Sequence, residues 1–244
     1  IIELTGQMIG SMIRLRKLLL DHNRLQYLPW EIGSHSDLEE LSFHGNELDT
    51  PCPEVLAGGA DSLLRYIRKV NQGMLTHNLD LSSSRLSLFP YELRSATMVT
   101  TLDLSNNRLI EVDDALSAMI CLISLNLEMN SLISLPSSIG ECRRLIYLNL
   151  SKNKIRSLPE NLSTMVCLEI MRLETNRMIK LPNFIKSMMQ LKELYLQENE
   201  FTDIGAEVKM SSNFILNPTP SQLMELLQDT GPTGIELQAK ILDS

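Results

Sequence analysis

The stretch LIYLNLSKNKIRSLP, Leu145 to Pro159, decides the fold. The copy before it is LISLNLEMNSLISLP, Leu122 to Pro136, and the copy after it is LEIMRLETNRMIKLP, Leu168 to Pro182. Leu122, Leu145, Leu168 and Leu191 stand 23 residues apart, and each opens the phrase. Numbered from that residue, positions 1, 4, 6, 11, 14 and 18 are apolar, position 9 is Asn and position 15 is usually Pro. Positions 4 and 6 alternate with polar residues, as in a strand with one buried face. A single unit cannot bury its leucines, whereas stacked units bury them in one continuous core beneath a parallel sheet.

Outward from this stretch, repeats open at Leu15, Leu38, Thr76 and Val99, and residues 1 to 14 read as the back half of another, with Ile9-Gly10 matching Ile32-Gly33. Eight strands at a spacing of about 4.8 Å predict a sheet roughly 34 Å across. Asn recurs at position 9 in Asn23, Asn46, Asn107, Asn130, Asn153, Asn176 and Asn199, with Ser84 the exception. Its amide can both donate to and accept from the backbone where the chain leaves the strand. The spacing from Leu38 to Thr76 is one repeat plus 15 residues, so residues 51–75 hold an insertion. There ADSLLRYIRKV places Leu63, Leu64, Ile67 and Val70 on one helical face, with Asp61 or Ser62 as N-cap. The period is lost after Val208, and SQLMELLQD (Ser221 to Asp229) reads as a second closing helix. The organisation expected is residues 1–50 as the end of a first block and 51–75 as a helical insertion closing it. Residues 76–208 then form a second block of six repeats, and 209–244 a cap helix and tail. Ile1 falls inside a repeat, so the chain reads as a fragment.

A fixed period in the twenties containing L-x-x-L-x-L-x-x-N-x-L is the leucine-rich-repeat signature. The fold class expected is α/β: a leucine-rich-repeat horseshoe with a parallel concave sheet, a short helical insertion and a C-terminal helical cap. The 23-residue phrase ending L-P-x-x-I-G resembles intracellular leucine-rich-repeat proteins of the Ras-suppressor and plant intracellular Ras-group-related type. LAGGADSLLRYIRKV is similar to the Gly-then-LLEYLR segment of leucine-rich-repeat-containing protein 40 and its relatives. The resemblance covers residues 1 to 208. It implies a cytosolic protein that binds other proteins, in some members of the family a small GTPase or phosphatase subunit, and it carries over no catalytic residue.

Twenty-two basic and 30 acidic residues leave a net charge of −8, which argues against a nucleic-acid binder. No run approaches the length of a membrane span. Cys121, Cys142 and Cys167 sit where other repeats carry small or apolar core residues, and Cys52 opens the insertion; no cysteine cluster marks an end cap. The reading is a reducing, cytoplasmic compartment. The sequons at Asn149 and Asn161 read as chance matches, since Asn149 falls in a strand.

No nucleophile, phosphate-loop or zinc motif is present, so the chain is read as no enzyme and as calling for no cofactor. Two small clusters carry possible chemistry. Asp80 and Asp103 fall at position 5 of adjacent strands and could share a proton or a cation. Asp21, His22 and His44 could approach one another across the first two repeats. For the first, a solvated pair beside Asn126 is the preferred reading; for the second, a metal site would need at least three ligands in good geometry and is not the preferred reading. The stronger signal lies at inner-face positions 3, 5 and 7, which the core does not use. There Tyr147, Asn149, Ile170, Arg172, Glu174, Tyr195 and Gln197 group aromatic, Arg and Ile side chains as in an interface hot spot. Position 10 adds a basic rim, Arg85, Arg108, Lys154 and Arg177, suited to an acidic patch. The function read is a non-enzymatic interaction module or scaffold in signalling, holding a protein on its concave sheet. The alternatives are the recognition region of a larger enzyme (kinase, GTPase or ubiquitin ligase) and a structural array in a large assembly.

Overall fold

The structure, a computed structural model, describes residues 4–201 and 215–216. Positions 3 to 5 of each repeat form a three-residue strand. They are β1 (Lys17–Leu19), β2 (Glu40–Ser42), β3 (Asn78–Asp80), β4 (Thr101–Asp103), β5 (Ser124–Asn126), β6 (Tyr147–Asn149), β7 (Ile170–Arg172) and β8 (Glu193–Tyr195). All pair in parallel without slippage, so Leu79, Leu102, Leu125, Leu148, Met171 and Leu194 form one buried row. The outer half of the repeats that open at Leu15, Thr76, Val99, Leu122, Leu145 and Leu168 is a five-residue 3₁₀ turn. Pro29, Pro90, Pro136, Pro159 and Pro182 precede such turns with φ near −65°, the value the ring imposes. Asp113 takes the same place, its side chain accepting from Ala115 N–H. Position 18 of each turn points inward, and Ile32, Leu93, Leu116, Ile139 and Leu162 are fully buried.

The sheet departs from the sequence-based expectation in two ways. It is not one sheet of eight strands. β1 and β2 form a pair, and β3 to β8 continue as a separate sheet. Between them lie α2 (Pro53–Ala57), preceded by the short α1 (Gly6–Gly10) at the start of the chain, and α3 (Gly59–Thr76). The second sheet also gains a strand, β9 (Ile215–Leu216), pairing Glu193 with Ile215 and Leu194 with Leu216. The sequence hid β9 because Pro218 stands where position 6 would carry a leucine. The expected cap helix at 221–229 lies outside the described residues.

α3 is 18 residues long, extending past the expected ADSLLRYIRKV run, and it starts at Gly59, with φ +71°, without a side-chain cap. It packs on the turn at Trp30–Ser34, on β2 and on β3. Leu63, Ile67 and Val70 are fully buried against the first repeats, and Gly73 sits on Leu79 so closely that a Cβ would fall 2.4 Å from its Cδ1. The helix therefore replaces the missing outer half of the second repeat and also supports the first strand of the next sheet. The core is continuous from Leu4 to Leu196.

The Asn at position 9 does what its amide chemistry allows. Asn153 Nδ2 donates to Leu150 O (3.0 Å) and, in the preceding repeat, to Leu127 O (2.9 Å), while its Oδ1 accepts from Leu132 N–H (3.0 Å). Asn46, Asn107, Asn130, Asn176 and Asn199 repeat the pattern. Ser84 escapes it for a structural reason. Its preceding neighbour is α3, so no strand carbonyl stands where the long amide would reach.

Candidate functional site

Parallel register brings the inner-face residues together in rows. Position 3 aligns Tyr147, Ile170 and Glu193, and position 5 aligns Asn149, Arg172 and Tyr195. The Arg172 guanidinium carbon lies 4.7 Å from the centre of the Tyr195 ring. The same guanidinium donates to Glu174 Oε1 through Nε (2.8 Å) and Nη2, which holds its pKa above the ordinary value. Tyr195 OH donates to Glu193 Oε2 (2.8 Å), and that bond raises the phenol's pKa. One repeat away, Lys152 Nζ donates to Glu128 Oε1 (2.7 Å), lowering the carboxyl's pKa, and Asn149 Nδ2 reaches Glu128 Oε2 (3.2 Å).

The grouping expected from sequence is thus assembled, but its exposure differs. Tyr147, Ile170, Arg172, Tyr195 and Gln197 are half-buried, whereas Asn149 and Glu174 are only 3% and 8% exposed. Asn149 is closed in: its Oδ1 accepts from both the N–H and Oγ of Ser151, and its Nδ2, the atom a glycan would use, donates to Glu128 Oε2. Glu174 is drawn down by Arg172. These two support the surface from beneath. Sequence reasoning missed Glu128 and Lys152. The signal was an acidic residue recurring at position 7, Glu128 and Glu174, with a lysine one repeat along.

It also missed a backbone feature. The residue at position 8 is left-handed in every repeat, at φ 53° to 57° in His22, Ser83, Asn106, Met129, Lys152, Thr175 and Glu198 and 68° in Gly45. This turn aims the position-8 N–H at the next repeat, as in Asn106 to Glu128 O and Lys152 to Glu174 O. Gly45 and Asn106, residue types that tolerate this region, were the available hint.

The two small clusters are bound up in local hydrogen bonds. Asp80 Oδ1 and Asp103 Oδ1 turn to the N–H of Ser82 and Ser105 in their own loops, and hydrogen bonding from Ser82 keeps Asp80 ionised below its usual pKa. Asp21 accepts from Ser42 Oγ and His44 N–H, while His22 packs on Gly45. Among the described residues no group of three His, Cys, Asp or Glu side chains could hold a metal ion. The rim cations Arg85, Arg108, Lys154 and Arg177 are exposed, and none forms an ion pair with a described carboxylate. All four cysteines are free thiols. Cys142 is buried, which pushes its pKa up to about 11, but Cys167 is exposed and does not fill the core as expected. Among the described residues no helix is long and apolar enough to cross a membrane.

The leucine-rich-repeat family matches residues 98–119 and 144–165. No curated protein sequence matches the chain significantly. Among solved structures the chain is similar to a leucine-rich-repeat protein of Leptospira interrogans, with a TM-score of 0.58 and 23% identity over 88% of this chain and 52% of that one. It is also similar to an internalin (InlF) from Listeria monocytogenes, with a TM-score of 0.51 and 20% identity over 92% of this chain and 61% of that one. The chain spans about half to three fifths of these proteins. At such identities the likeness is one of fold, a leucine-rich-repeat solenoid.

Proposed function

We propose that this leucine-rich-repeat solenoid is a non-enzymatic scaffold that holds a protein partner against its concave sheet, centred on β6 to β8. The observation that carries the reading is the Arg172–Tyr195 stack, flanked by Tyr147 and Ile170. Two half-buried aromatic rings, a guanidinium and an aliphatic side chain stand together there without contributing to the leucine core. Such anchors supply most of the energy in protein interfaces. The partner class implied by resemblance to the Ras-suppressor and plant Ras-group type is a small GTPase or a phosphatase subunit. Four free thiols accord with a cytoplasmic setting and a role in signalling.

A photo-crosslinking residue placed at Tyr147 tests this. It should join the partner in cell extract, whereas the same residue at Met189, which is 87% exposed and follows the outer turn Asn183–Ser187, should not. Equal capture from both positions overturns the concave-face reading. A second reading rests on the rim. Arg85, Arg108, Lys154 and Arg177 lie beside exposed Ile110, Ile133 and Ile179, a basic and apolar ridge suited to an acidic partner segment. Capture from Ile133 but not Tyr147 supports it.

A further inference from the structure

Two buried oxygen atoms on the concave face accept no hydrogen bond from any described residue: Glu174 Oε2 and Gln197 Oε1. They belong to position 7 of neighbouring repeats, two residues past β7 and β8, so they stand in one row. Both atoms are acceptors, so with Gln197 turned Oε1 inward neither satisfies the other. Burying an acceptor without a donor is costly, and more so for a carboxylate oxygen.

We propose that this pair is a subsite for a lysine side chain of the partner, an inference that rests on the concave-face reading above. Three features select that chemistry. First, the surrounding face is acidic. From β3 to β8, positions 3, 5 and 7 carry Asp80, Asp103, Glu128, Glu174 and Glu193 against the single cation Arg172, a net of −4. Second, the geometry suits an ammonium. Strands lie about 4.8 Å apart. Two N–H···O bonds of about 2.8 Å diverging at the tetrahedral angle span about 4.6 Å. Third, a second guanidinium does not fit. Bidentate arginine recognition needs both carboxylate oxygens, and Arg172 already holds Glu174 Oε1. A divalent metal would need more oxygen ligands than these two supply. Entry requires one side chain to give. Gln197 is half-buried, with three rotatable bonds; it turns to admit the ammonium and then accepts from it, while Arg172 keeps Glu174 in place.

The test uses the whole chain with labelled Glu and Gln side chains. The tripeptide acetyl-Gly-Lys-Gly-amide is titrated against its norleucine counterpart, which keeps the aliphatic stem and lacks the ammonium. The lysine peptide should shift the Glu174 carboxyl and Gln197 amide signals saturably in the millimolar range, and the norleucine peptide should not. Glu174→Gln should weaken this binding about tenfold. Should that variant lose its fold, Gln197→Met removes the other acceptor alone and should also weaken it. Equal shifts with both peptides, or unchanged affinity in both variants, overturn the subsite. Saturable shifts at Asp103 and Glu128 in place of Glu174 and Gln197 overturn it while leaving the concave face as the binding surface. Shifts only at the outer turns overturn both.

Discussion

At the scale of single residues, the repeat is held by polar groups as much as by leucines. Asn153→Ala removes two donors and one acceptor from buried backbone partners and should cost about 1–3 kcal/mol, read as a lower denaturant midpoint; an unchanged midpoint would remove this account of the ladder. Inner-face residues are less dispensable than their positions suggest. Arg172→Ala leaves the buried Glu174 without its cation, so it should destabilise by about 1–3 kcal/mol. Tyr195→Ala forfeits an exposed-type cation–π contact and should cost about 0.5–1 kcal/mol. Equal melting temperatures for the two variants would show that Glu174 does not depend on Arg172. The ladder and the inner-face row could be read from sequence because each recurs at a fixed offset in every repeat. The Arg172–Glu174 pairing could not, since it depends on which of several neighbouring charges a flexible side chain reaches.

At the scale of elements, α3 is the joint between the two sheets. Gly33 passes beneath it, and an added Cβ would fall 2.6 Å from Ile67 O and 2.8 Å from Asn71 Cβ. A helix backbone cannot give way as a side chain tip can, so Gly33→Ala should destabilise by about 1–3 kcal/mol; thermal unfolding at the wild-type temperature would argue against such close packing. The same joint should respond to pH. Tyr66 on α3 donates to Glu92 Oε2 (3.1 Å) in the next repeat, and burial raises the Glu92 carboxyl above its usual 4.5. A raised folded-state pKa means that ionisation costs stability. The contribution is favourable below about pH 4.5 and is lost as pH rises through the higher folded value. Glu92→Gln should therefore melt above wild type at neutral pH, with the gap closing towards pH 4. A gap independent of pH would remove the role of ionisation. The apolar face Leu63, Leu64, Ile67, Val70 marked this helix in the sequence, but its length and second contact did not show, because Gly73 is small for the sake of Leu79, a neighbour that the sequence pattern does not place beside it.

At the scale of the whole molecule, two sheets share one core, so the chain from Leu4 to Leu196 should unfold in a single transition. Leu64→Asp should then lower protection from hydrogen exchange in β3 as well as in β2; loss confined to β1 and β2 would show that α3 closes one block only. The parallel register of the second sheet has a consequence for any ligand that runs along it. The rows repeat at about 4.8 Å, whereas an extended peptide presents side chains to one face about every 6.8 Å. The two scales slide past each other like a vernier and coincide again only after about seven repeats. A peptide laid along the sheet would therefore find its marks at one setting, and the variation of inner-face residues from strand to strand would serve it as an address, not as a track.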